Sequence, residues 1–368
     1  MEVINAVTGY KWEFDSKPIQ RNKPCEAIFG KQEHNAIKLE IQKLLDTGVV
    51  VPSRNEENQF VSRIFTRPKK DGSVRMILNL KNFNKHIIYK HFKMETFKSA
   101  LPLIEKDSYM ASVDLKSAYY TVPIHAEFQK YLKFEFEGQL YTMTALPNGL
   151  GPAPRIFTKI CKPVFAKLRR SGHKSVSFID DILCIGLSAE ECYTNVRDTA
   201  LMFDNLGFII HPEKSEFVPS KTAVFLGFVI NSADMCISLS VAKAEDIIAS
   251  CKYLLAKPHP TIREVSQTVG KLVASFPAVR YAPLYYRQLE NDKIAALKRS
   301  WGNFDAHMCM SEISVHDLQW FIKNVKSASK PIRESQPDVI IASDASDLGW
   351  GGVMHNTCLT AGPGFSNV

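Results

Sequence analysis

The chain has 368 residues, of which 45% are hydrophobic and 23% charged, with a net charge of +8 at neutral pH. That length allows two or three domains with sizeable cores, and the composition excludes a low-complexity or disordered chain. No apolar run approaches the ~18 residues of a membrane span, the N-terminus lacks a secretory pattern, and the eight cysteines include no C-x-x-C pair. Buried free thiols in a reducing, intracellular compartment are therefore expected rather than a disulfide or zinc framework.

Along the chain, residues 1–30 read as an irregular arm. Ile37, Ile41, Leu44 and Leu45 recur at helical spacing over residues 33–46, and Gly48 supplies a stop. The triplet Asp46-Thr47-Gly48 matches that of aspartic proteases, but such chemistry needs two facing aspartates. Here the triplet ends an amphipathic helix and has no second copy. Residues 61–80 predict two strands joined at Asp71-Gly72, a hairpin signal. Strand-like segments follow at 109–115, 131–136, 176–184 and 223–230, with helical segments at 153–169 and 189–206. From 241 to 298 the pattern turns helical. Residues 327–338 read as a linker, after which "VIIASDAS" opens a new strand.

The charge is concentrated. Between Arg63 and Lys98 stand ten basic residues against Asp71 and Glu95, a local excess of eight that equals that of the whole chain. Phe65, Phe83, Tyr89 and Phe92 are interleaved with them, a pattern that favours a polyanionic partner, nucleic acid first.

The stretch "SVSFIDDILCIG" (175–186) sets Asp180 and Asp181 side by side in an otherwise buried-looking run. An unpaired buried carboxylate costs several kcal/mol, and two neighbours repel. The doublet must therefore lie in a turn, pair with basic side chains or hold a divalent cation. A further acid, Asp114, ends the apolar run Tyr109–Val113 in "ASVDLKSAYYTVPI". If the three converge on one sheet edge, two Mg²⁺ ions (or Mn²⁺ as substitute) would make the cluster tenable and suit it to in-line attack on a phosphate.

At this point the sequence resembles the reverse transcriptases of retroelements, in order, over residues 35–300. "SVDLKSAYYTVPI" resembles the first palm motif, "ALPNGLGPAPRIF" the second, "FIDD" the third (usually Tyr-x-Asp-Asp), "LGFIIHPEKSEF" the fourth and "FLGFVI" the primer grip. The resemblance implies an α+β right hand of fingers, palm and thumb, with an antiparallel palm sheet backed by helices. Residues 1–30 would be an arm, 31–240 fingers and palm, 241–300 the thumb, 301–337 a connection, and 338–368 the truncated start of a ribonuclease H-like domain. The implied activity is RNA-directed DNA polymerisation, adding dNMP from dNTPs to a primer 3′-hydroxyl. Its partners would be an RNA template, a DNA primer, their hybrid and other retroelement proteins, with no membrane.

By the same resemblance, the doublet would sit in the tight turn of a hairpin, and Asp114, Asp180 and Asp181 would be catalytic metal ligands, with the Leu115 carbonyl adding an oxygen. Lys69 (or Lys70) and Arg75 would close on the triphosphate. Tyr119 would exclude the 2′-hydroxyl, Asn148 would reach the sugar, and Lys214 would protonate the leaving pyrophosphate. Gly149 and Gly151 would keep the backbone thin beside nucleic acid, while Phe178, Phe225, Leu226 and Gly227 would hold template or primer. Phe178 replaces the usual tyrosine, and Asn148 stands where relatives carry Gln or Phe. "DVIIASDASDLGWGG" resembles the first strand of ribonuclease H, with Asp344 as first ligand; its partner acids are absent, so that activity is not expected. The motifs lean towards DIRS-like elements, with Ty3/gypsy-like ones second. The rival reading is a non-catalytic nucleic-acid-binding remnant.

Overall fold

Alternation along the strand Tyr109–Lys116 decides which side chains meet which core, because successive residues of a strand point to opposite faces. The computed structural model describes residues 2–68, 74–333, 339–346, 348–354 and 358–363. In it Tyr109–Lys116 pairs antiparallel with Asp181–Gly186 on one side and Glu216–Ser220 on the other. Lys174–Phe178 forms the far edge, and the short strand Ile209–Ile210 pairs with Leu115 and Lys116. Ala111, Val113, Ile182 and Cys184 pack into one core with Phe157, Phe165 and Phe203. Met110, Leu183 and Ile185 pack into a second core with Phe225, Phe228 and Ile247. The central strands Tyr109–Lys116 and Asp181–Gly186 are therefore packed on both faces, which is why they read as nearly continuous apolar runs.

The first core extends to the hairpin Ile64–Pro68/Val74–Leu78 and the helix Lys31–Asp46, which packs against it. The tip of this hairpin, with Lys69, Lys70 and Asp71-Gly72, lies outside the described residues. In the neighbouring strand Lys133–Phe136, Lys133 is 1% exposed, its ammonium group held by Glu56 at 2.6 Å and the Arg54 carbonyl at 2.7 Å.

The second core contains a four-stranded antiparallel sheet and four helices, Val241–Leu255, Ile262–Ala274, Arg287–Arg299 and Glu312–Asn324. Three of these start on a serine or threonine whose hydroxyl accepts a backbone N–H of the first turn.

Three sequence expectations change. The arm is not irregular: Glu2–Gly9 is helical, and the segment after it bridges Ile124 through Tyr10 and Ile87 through Phe14. Trp12, 3% exposed, anchors it among Phe14, Phe83 and Phe128. The supposed linker begins with Ser329–Pro331, which pairs with Cys236–Leu239 and ties the fourth helix back to the sheet. The strand-like run 223–230 is two strands, Thr222–Phe225 and Phe228–Asn231, whereas 176–184 divides at the hairpin turn expected of the doublet. At the C-terminal end, Ile341–Ser346, Gly349–Met354 and Cys358–Pro363 make a three-stranded antiparallel sheet. Among the described residues, no helix is long and apolar enough to cross a membrane.

Candidate active site

The doublet sits at a hairpin. Phe178 pairs with Asp181, which leaves Ile179 and Asp180 as a two-residue turn. Ile179 has φ +58°, a conformation that β-branched residues rarely adopt, and such strain collects at functional sites. Asp114 is the direct cross-strand partner of Asp181, so the two side chains leave the same face of the sheet. The Leu115 amide donates to the Asp180 carbonyl at 2.9 Å, fixing the turn against the central strand. Two stretches 66 residues apart thus bring three carboxylates to one edge.

Few cations compensate them. Lys214 Nζ stands 4.0 Å from Asp114 Oδ1, and Arg75 acts on Asp180 through space. Burial, reinforced by the neighbouring charge of Asp114, raises the Asp180 pKa. Asp181 is pushed up to about 6 by burial and by both other aspartates, with only the Leu226 backbone pulling the other way. Among the described residues, no three His, Cys, Asp or Glu side chains already stand at ligand spacing; uncompensated like charges resist drawing together. The donor set is nonetheless all oxygen, which suits hard divalent ions.

Around this edge, Tyr119 packs edge-on against Phe157 at 5.9 Å, and burial with the Asp180 charge raises its pKa to about 12. It remains a neutral phenol. Asn148 donates through Nδ2 to the Tyr120 hydroxyl at 3.3 Å, so its amide is engaged within the protein. Gly149 has φ +101°, and a Cβ there would lie 2.4 Å from the Leu78 carbonyl. Leu226 and Gly227 form a tight turn between Thr222–Phe225 and Phe228–Asn231, both at positive φ.

One expected residue, Phe225, is withdrawn from the surface. Phe225 is fully buried in the second core; it supports the Leu226-Gly227 turn from beneath and offers a primer no surface. Phe178 packs against that same core. Gly151 lies beside Asn84, whose side chain both accepts from the Gly151 amide and donates to the Gly149 carbonyl, at 2.9 Å each. Asn84 holds the glycine loop to the segment after the hairpin, a role for which its sequence context gave no signal. Ser215 was also missed: its hydroxyl accepts from the Asp114 amide at 3.0 Å and donates to the His211 carbonyl at 2.8 Å. Asp344 lies in the separate C-terminal sheet, opposite Gly351.

Solved structures share this architecture. A foamy viral protease-reverse transcriptase in complex with dsDNA matches with a TM-score of 0.70 at 18% identity, covering 96% of this chain and 71% of that one. The same enzyme in complex with an RNA/DNA hybrid gives 0.69 at 18% identity, over 99% and 46%. The fold is therefore the right-hand polymerase fold. In sequence, residues 67–230 match the family model described as "Reverse transcriptase (RNA-dependent DNA polymerase)". The enzymatic polyprotein of Figwort mosaic virus (strain DxS) is 23% identical over 359 residues, 94% of this chain but 49% of that protein. The Transposon Tf2-3 polyprotein of Schizosaccharomyces pombe is 26% identical over 211 residues, 57% of this chain and 15% of that protein. Residues 67–230 thus resemble the reverse transcriptases of viral and transposon polyproteins, and the chain spans half or less of the curated relatives it matches.

Proposed function

We propose that the chain is an RNA-directed DNA polymerase that extends a DNA primer on an RNA template, inside the cell. The observation that carries this reading is the cross-strand pair Asp114–Asp181 with Asp180 in the adjoining turn, three acids at one edge with almost no basic compensation. Two Mg²⁺ ions held by Asp114, Asp180, Asp181 and the Leu115 carbonyl would supply activation of the primer hydroxyl and stabilisation of the departing oxygens.

The remaining roles belong to side chains. Arg75 can grip triphosphate oxygens with a planar pair of N–H donors, and Lys69 on the same hairpin would add a point charge. Tyr119, a rigid neutral ring, would collide with a 2′-hydroxyl. Lys214, exposed and 4.0 Å from Asp114, would be the proton donor for pyrophosphate. Leu226 and Gly227 would seat the primer end. Residues 31–240 would form fingers and palm and 241–300 the thumb, with 301–337 connecting to a ribonuclease H-like start at 338–368. Within that last segment Asp344 belongs to no cluster of acids among the described residues.

The test is primer extension on poly(rA)/oligo(dT) with Mg²⁺. Wild type should extend and Asp180→Asn should not. Binding without extension by the wild type would instead make the chain a nucleic-acid-binding remnant.

A further inference from the structure

The first helix after the turn of Leu226 and Gly227 carries a lysine in an uncomfortable place. Lys243 lies in the first turn of Val241–Leu255, where the helix already presents partial positive charge. Its Nζ sits 3.7 Å from the ring centre of Phe228, which in turn packs on Phe97 at 4.3 Å. Among the described residues no carboxylate pairs with it. The two acids on the same helix are committed elsewhere, Glu245 to Lys326 at 3.1 Å and Asp246 to Lys271 at 2.7 Å. Burial alone pulls its pKa down, the sign of a cation losing water without gaining an anion. A lysine that served only to cover apolar surface would extend its ammonium into solvent. This one is folded back over Phe228, and its chain end reaches Gly227: a Cβ on that glycine would lie 3.2 Å from Lys243 Cδ and 3.8 Å from Nζ. One residue before that glycine, the Leu226 backbone reaches the Asp181 carboxylate.

We propose that Lys243 binds a backbone phosphate of the primer strand next to the turn formed by Leu226 and Gly227. The assignment rests on the polymerase reading above. A phosphate is the anion that a primer ending at the three aspartates would bring past this turn. The aromatic face beneath the ammonium group fixes its position and leaves its outer side for the phosphate. Lys243 is a positioning residue: it holds the strand whose 3′ end reacts, without touching the reacting atoms.

The test compares wild type with Lys243→Met, Lys243→Gln and Lys243→Arg on one RNA/DNA template-primer. Affinity is measured from low to moderate salt, extension in Mg²⁺, and melting temperature alongside. Both neutral variants should bind several-fold more weakly, and the slope of log affinity against log salt should become shallower by about one unit, the loss of one phosphate contact. Lys243→Arg should keep the wild-type slope. If wild type extends and the neutral variants keep its salt slope, whatever their melting temperatures, the phosphate contact is refuted and the polymerase reading stands. If wild type neither binds nor extends the substrate, the polymerase reading falls and this assignment with it.

Discussion

In the helical bundle Glu264 receives the Lys257 ammonium group and the Tyr253 hydroxyl, each at 2.6 Å, and accepts the Thr261 amide at 2.9 Å. In the palm sheet Asp181 faces two other aspartates and no close cation. The pKa values diverge accordingly. The Lys257 hydrogen bond leads the interactions that lower Glu264 to about 2, whereas burial leads those that raise Asp181 to about 6. Asp305, clasped by Arg263 through bonds of 2.7 and 3.1 Å, follows Glu264, its pKa lowered by that partner. Glu264 and Asp305 are thus compensated where they hold helices together, whereas Asp181 is left uncompensated where strands converge. Acids left uncompensated in this way cluster at functional sites.

The sharpest way to break the comparison is neutralisation. Asp180→Asn should lower primer extension by about 10³-fold or more, since a metal-binding carboxylate supplies several kcal/mol of transition-state stabilisation. Residual extension near wild type would place the chemistry elsewhere. Tyr119→Ala should leave dNTP addition measurable and relax sugar choice, raising ribonucleotide incorporation by about tenfold, near 1.4 kcal/mol of discrimination. Unchanged rejection of rNTPs would remove Tyr119 as the gate.

A second contrast is in pH. A carboxyl raised in the folded state contributes stability that is complete below its unfolded pKa and lost as pH rises through the folded value. For Asp181 the window runs from its ordinary 3.8 up to about 6. Metal-free wild type should therefore lose stability between about pH 4 and pH 6 relative to Asp181→Asn. Melts in EDTA at those two pH values check it, and parallel behaviour of the two proteins would contradict the burial argument. Glu264 has the opposite sign: its contribution is present above its ordinary value of 4.5 and disappears as pH falls towards 2.

The palm was readable because its signals are local. Asp114 ends an alternating run, and the doublet interrupts another. Their register was not readable, since pairing of Asp114 with Asp181 is decided by the two cores that trap the sheet rather than by either strand. The hairpin turn at the doublet was readable, but not that Ile179 and Asp180 make it, because the turn lacks the Asn-Gly or Asp-Gly signal and a β-branched residue argues for continued strand. In the arm, Tyr10, Trp12 and Phe14 recur at the spacing of two that marks a strand face, a signal too short to outweigh the polar surroundings. Ser329–Pro331 had none, because a three-residue strand is stabilised by its partner.

The smallest effect tests the other side of the comparison. Thr261 and Glu264 form a reciprocal cap at the start of Ile262–Ala274. Removing the hydroxyl with Thr261→Ala should cost about 1 kcal/mol. Glu264→Gln keeps an acceptor for the Thr261 amide, as capping boxes tolerate either residue, and loses only the charge shared with a solvent-reaching lysine. Such pairs contribute little and fade with salt. The variant should therefore be slightly less stable than wild type at low salt and indistinguishable at high salt. Asp181→Asn should move stability the other way under the same conditions, because it removes a charge that the fold leaves unpaired. Two acid-to-amide changes with opposite signs in one protein would tie each shift to its surroundings. If both destabilise equally, the palm acids are ordinary structural carboxylates.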